Sequence, residues 1–69
     1  MATIYVSLLD EAVDVWRPIE AFSEGESLYR IPEGPTPGDE TWEFPPGSLV
    51  RCEWRELAEG PALVAVALG

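Results

Sequence analysis

The sequence predicts an all-β fold, five short strands curled into a small, partly open barrel with a long loop before the fourth strand. Three observations carry this. Apolar residues recur every second position in short runs, the spacing that turns one face of an extended chain inward. Proline and glycine punctuate those runs at short intervals. No stretch makes a convincing helix.

The clearest run is Ser48 to Leu57, where Val50, Cys52 and Trp54 alternate with Arg51, Glu53 and Arg55. This is the fourth strand, with all three apolar residues expected in the core. Pro46-Gly47 ahead of it suits a type II turn, because proline pre-sets the first central torsion and glycine accepts the positive second one. At the start of the chain, Ile4, Val6 and Leu8 alternate with Thr3, Tyr5 and Ser7, and β-branched content favours a strand. Asp10-Glu11 reads as a polar turn. A helical turn over Leu8 to Val15 is the lesser alternative, because Val13 and Val15 resume the period of two.

The second strand is expected from about Val13 to Phe22, with Val13, Val15, Ile19 and Ala21 on one face and Trp16, Pro18, Glu20 and Phe22 on the other. Pro18 has no amide hydrogen, so it belongs at an edge or a bulge, where the strand bends from one sheet to the next. Ser23 to Glu26 makes a hairpin loop. In the third strand, Leu28 to Ile31, Tyr29 and Ile31 share a face opposite Leu28 and Arg30. Pro32 to Gly47 then holds five prolines and three glycines in sixteen residues, which makes it a loop. Trp42 and Phe44 are expected to pin its second half by plugging one end of the barrel. Glu59-Gly60 makes the last turn. Ala62 to Leu68 is the fifth strand, whose nearly continuous apolar character implies burial on both faces or a covered edge.

Five strands joined in this way match an SH3-like (Tudor-like) barrel. The five-stranded oligonucleotide-binding barrel is the rival, but it usually carries a helix before its fourth strand and the proline-rich loop supplies none. Thr3 to Glu11, Asp14 to Pro18, Leu28 to Ile31 and Trp42 to Ser48 also resemble short, stand-alone bacterial proteins of unassigned function. That resemblance spans most of the chain. It implies a complete chain of bacterial, cytoplasmic origin and brings no activity with it.

A chain of 69 residues makes one domain. It buries only about 60% of the surface it exposes when unfolded, and a stability of about 3 to 5 kcal/mol is expected. Thirteen acidic residues against four arginines give a net charge of -9, which repels phosphate backbones and argues against nucleic-acid binding. Solubility alone accounts for such a surface. Histidine is absent, and with it the usual general base and the commonest transition-metal ligand. The longest apolar run, Ala62 to Leu68, falls far short of the ~20 residues of a membrane helix, and no secretion signal is apparent. The expected location is the cytoplasm, with no membrane partner.

The residues that invite a binding role are Trp16, Arg17, Tyr29, Trp42 and Phe44. Aromatic groups at a barrel mouth can cage a cation or groove a proline-rich peptide, although a domain this small also needs such rings for its core. Asp10, Glu11 and Asp14 match no calcium-loop spacing and read as a solvated turn, as do Asp39, Glu40 and Glu43. Cys52, in phase with the buried face, reads as an inert core thiol. Arg17, Arg30, Arg51 and Arg55 are expected to pair across strands with Glu20, Glu53 and Glu56. No cofactor or metal is expected. The expected function is a non-catalytic adaptor that holds a protein or peptide at the barrel mouth, with a homodimer as an addition. An acidic decoy for a basic surface is the alternative, and a carboxylate- or metal-dependent enzyme the weakest reading.

Overall fold

The computed structural model describes residues 1–9, 15–34 and 40–68. Its strands are β1 (Ala2–Ser7), β2 (Trp16–Gly25), β3 (Leu28–Arg30), β4 (Leu49–Leu57) and β5 (Gly60–Val66). They form a closed barrel in sequence order, all-β and consistent with a small SH3-like barrel. Consecutive strands pair antiparallel, and an odd number of strands in such a ring leaves the first and last running the same way. β1 and β5 accordingly meet in parallel, at the single register pair Tyr5 and Val64. No helix is found among the described residues.

The period-two runs put their apolar residues where expected. Ile4, Val6, Ala21, Ile31, Val50, Cys52 and Ala65 make the buried core, and Ile19, Tyr29, Trp42, Phe44 and Leu63 pack against it half-buried. β2 changes partner along its length, pairing with β1 over Trp16 to Ala21 and with β3 from Phe22 onward. Pro18 sits opposite Tyr5 in the first part, where β3 is not alongside. Its missing N–H therefore leaves no gap in a two-sided ladder. The irregularity in β2 lies later, between Ser23 and Gly25. The strand runs on to Gly25, so the hairpin loop shrinks to Glu26 and Ser27.

β5 is buried on both faces, the first of the two arrangements that its composition implies. Ala65 faces the core opposite Cys52, whereas Ala62 and Val64, register partners of Arg55 and Glu53, lie on the outer face and are buried as well. The expected turn before β4 is also present. The Ser48 N–H donates to the Pro45 carbonyl at 3.1 Å, with Gly47 at φ 88° in the third position.

Trp54 corrects the sequence reading. Its spacing from Val50 and Cys52 places it in the core, yet it is 71% exposed. β3 is only three residues long and pairs with β4 no further than Arg51. After the Cys52 N–H, which donates to the Ser27 carbonyl at 2.8 Å, β4 continues to Leu57 paired with β5 as its one strand neighbour among the described residues. Among the described residues no strand pairs with β4 there on the side away from β5, so periodicity sets the direction of Trp54 while the short neighbouring strand denies it a core.

Two backbone positions test this account. Gly47→Ala puts a side chain at positive φ, with its Cβ 3.3 Å from the Glu33 Cγ; it is expected to lower stability by about 1 kcal/mol in urea denaturation. Ser27 already occupies φ 68°, so Ser27→Gly is expected to raise stability by up to about 1 kcal/mol.

Candidate functional site: a plugged mouth and a lateral cleft

The end of β1 is extended by the loop that precedes β4. Leu8 bridges Trp42, the Leu9 N–H donates to the Thr41 carbonyl at 2.8 Å, and the Glu43 N–H donates to the Ser7 carbonyl at 2.9 Å. The far end of the same loop is tied to Ile31, whose carbonyl accepts from the Gly47 N–H at 2.8 Å and whose N–H reaches the Ser48 carbonyl at 2.9 Å. Held at both ends, the loop lays Trp42 and Phe44 against the barrel core as a plug. Five residues of it, 35–39, lie outside the described residues, and so does the expected acidic turn at Asp10, Glu11 and Asp14.

Glu40 locks the plug. Its carboxylate accepts from the Arg17 Nε at 3.0 Å and from a terminal nitrogen of the same guanidinium, and it takes the Trp42 indole N–H at 3.0 Å. The Arg17 hydrogen bonds, then that of Trp42, hold the Glu40 carboxyl below the usual carboxylate range, with the Arg17 charge adding to them. Glu40 in turn raises Arg17. A carboxylate so held is a fixed structural anion and a poor base.

The five residues singled out in the sequence therefore divide. Arg17 and Trp42 come together through Glu40. Tyr29 and Phe44 pack against the core. Trp16 points elsewhere, because neighbours on a strand face opposite sides and its register partner is Ser7, on the outer face of β1. On that side Tyr5, Trp16, Pro18, Leu57 and Pro61 line a cleft of about 500 Å³, with Glu59 the charged residue in its wall. Two hollows beside the plug, near Pro46, are smaller, about 380 and 270 Å³. The cleft went unseen in the sequence because Tyr5 alternates with the core set and reads as solvent-facing. Its one signal was that Pro18 shares the face of Trp16.

The arginine pairing also differs from expectation. Arg17 takes loop residue Glu40, Arg30 takes Glu24 at 3.3 Å, and Arg55 takes Glu53 of its own strand at 2.6 Å. Glu20 accepts from the Thr3 hydroxyl instead, and Arg30 also donates to the Gly47 carbonyl. Cys52 is buried, and loss of solvation pushes its thiol up to about 11. Among the described residues no cluster of three His, Cys, Asp or Glu could hold a metal. No helix among them is long and apolar enough to cross a membrane.

Fold and site together define a small β-barrel with one stoppered mouth and an apolar, aromatic-lined cleft on its flank. Comparison with known proteins gives no match to a family model, a curated protein or a solved structure.

Two outcomes are expected. Because the Glu40 carboxyl is lowered in the folded state, its contribution is present above the ordinary carboxylate range and lost as pH falls through its folded pKa. Glu40→Gln should remove that part of the acid dependence in urea titrations taken from neutral pH downward; an unchanged profile would exclude the clamp. Cys52 should resist thiol reagents until the chain unfolds, and Cys52→Ser should cost about 1–3 kcal/mol by burying a hydroxyl without a partner.

Proposed function

We propose that the protein is a non-catalytic binding module that holds an extended segment of another protein in the cleft lined by Tyr5, Trp16, Pro18, Leu57 and Pro61. The cleft itself is the observation that carries this reading. Aromatic and proline side chains on a rigid sheet offer broad apolar contact at little entropic cost, which suits a ligand already extended, such as a proline-containing segment. Glu59 in the wall and the net charge of -9 favour a basic residue beside the apolar part. The reading keeps the adaptor expected from the sequence and moves its site from the plugged mouth to the flank. Trp42 and Phe44 are engaged in closing the barrel, and Arg17 is held by Glu40.

A second reading, an acidic decoy for a basic surface, draws on Glu26, Glu33, Glu43, Glu56 and Glu59, which have no ion pair among the described residues. Salt separates the two, since contacts between exposed charges fade as ionic strength rises while apolar contacts persist.

The test is an array of proline-containing peptides, with and without flanking arginine, followed by amide chemical-shift mapping of the strongest binder. Shifts at Tyr5, Trp16 and Leu57 to Ala62 that persist in moderate salt and vanish in Trp16→Ala are the expected result. Shifts confined to Trp42 and Phe44, or an array without binders, would reject the cleft.

A further inference from the structure

Two rows of directly opposite residues cross the strands on the outer face of the barrel beside β3. In the first, Phe22, Arg30 and Leu49 stand next to one another on β2, β3 and β4. In the second, Leu28, Arg51 and Val66 do the same on β3, β4 and β5. Opposite residues share a face, and these alternate with Tyr29, Val50 and Cys52, which turn to the core, so both rows lie on the outside. Each row therefore sets an arginine between two apolar side chains. Phe22 is 47% exposed, both arginines are exposed, and Leu28, Leu49 and Val66 are half-buried. The two arginines differ in what they hold. Arg30 donates to Glu24 at 3.3 Å and to the Gly47 carbonyl at 3.1 Å. Arg51 has no ion pair among the described residues, although acidic residues outnumber arginines thirteen to four. Even Glu53, two positions along the same face, bonds to Arg55 instead.

We infer that this face is a second docking surface, and that its occupant is an extended segment of another protein bearing one carboxylate between apolar side chains. The planar fork of the Arg51 guanidinium fits a carboxylate, and apolar groups on either side exclude water from the pair, which makes it stronger than an ion pair in open solvent. Arginine and an aromatic ring among half-buried apolar residues is also the composition of interface cores, from which lysine and acidic residues are depleted. An extended chain turns residues two apart to the same side, so the occupant carries its Asp or Glu with apolar residues two positions before and after it. The net charge of -9 narrows the choice further. A run of carboxylates or a phosphate backbone is repelled by the domain as a whole, whereas a single carboxylate is met locally by Arg51. None of the six residues in the two rows lines the cleft, so this surface does not depend on what the cleft holds. One domain could then hold two partners of opposite charge at once.

End-blocked peptides with a single glutamate, and valine, leucine or phenylalanine two positions away on both sides, test this when titrated into the isotope-labelled intact chain. Saturable amide shifts at Phe22, Leu28, Leu49, Arg51 and Val66 are expected, at high micromolar rather than nanomolar affinity because the contact is small. Arg51→Gln should weaken binding by about tenfold, and the same peptides with glutamine in place of glutamate should bind the unaltered chain with a similar loss. The altered chain with the glutamine peptide should lose little more, as expected when the two groups act on each other. Arg51 is exposed, so the variant keeps the barrel, as circular dichroism will show. Glutamate and glutamine peptides that bind alike overturn the proposal, as does an Arg51→Gln chain that binds undiminished. Shifts confined to Tyr5, Trp16 and Leu57, or no binding by any of the peptides, overturn it too. A short single-stranded oligonucleotide that binds more tightly than every peptide would also overturn it, because the anion would then be a phosphate.

Discussion

Closing five antiparallel strands into a ring obliges the first and last to run in the same direction, and in this barrel that seam rests on one register pair, Tyr5 with Val64. Much of the remaining structure follows from so thin a closure. A parallel contact this short contributes few ladder hydrogen bonds, so side-chain burial must hold the ring shut. β5 answers with an apolar residue on both faces, Ala65 toward the core and Val64 and Ala62 toward the flank. The flank cleft lies over the same seam, lined by Tyr5 from β1, Trp16 and Pro18 from β2, and the β4–β5 turn. An occupant of the cleft would bridge the elements that the seam joins weakly. Binding there and barrel closure would then reinforce one another, since a ligand selective for the folded state stabilises it.

The open mouth is managed differently. Small barrels fill their interiors with side chains, and seven buried residues with small or branched side chains do not reach the end of this one. Trp42 and Phe44 complete it from a loop in which no strand is found among the described residues. What keeps the loop in place is a set of backbone bonds to Ser7, Leu9 and Ile31, together with the carboxylate of Glu40 shared between Arg17 and Trp42. The arrangement explains how Thr41 to Ser48, a segment with two prolines, is held against the barrel outside the five strands. The Glu43 and Gly47 N–H groups and the Thr41 carbonyl bond to Ser7, Ile31 and Leu9 instead of to a regular ladder.

The strands were legible because burial on a sheet repeats every two residues, and Ile4, Val6, Val50 and Cys52 carry that period without interruption. The type II turn at Pro46-Gly47 was legible because its torsions demand those residue types. Trp54 was misread for an equally definite reason. Periodicity reports which way a side chain points relative to its neighbours, and says nothing about whether another strand stands opposite. The length of β3 decides that, a strand separated from the nearest end of β4 by eighteen residues in sequence and adjacent to it in space. Glu40 was read with Asp39 and Glu43 as a solvated carboxylate because its two partners, Arg17 and Trp42, are assembled only by folding.

By itself the amino-acid order determined the class of fold, the inward face of each strand, the turn before β4 and the apolar character of both faces of β5. All of these depend on interactions between residues a few positions apart or on the backbone torsions of single residues. Tertiary structure alone decided that Arg17 and Trp42 meet through Glu40, that the aromatic mouth is stoppered, and that a cleft opens beside the seam. These arrangements depend on strand lengths and registers, which arise from the closure of the whole ring and leave no period in the chain.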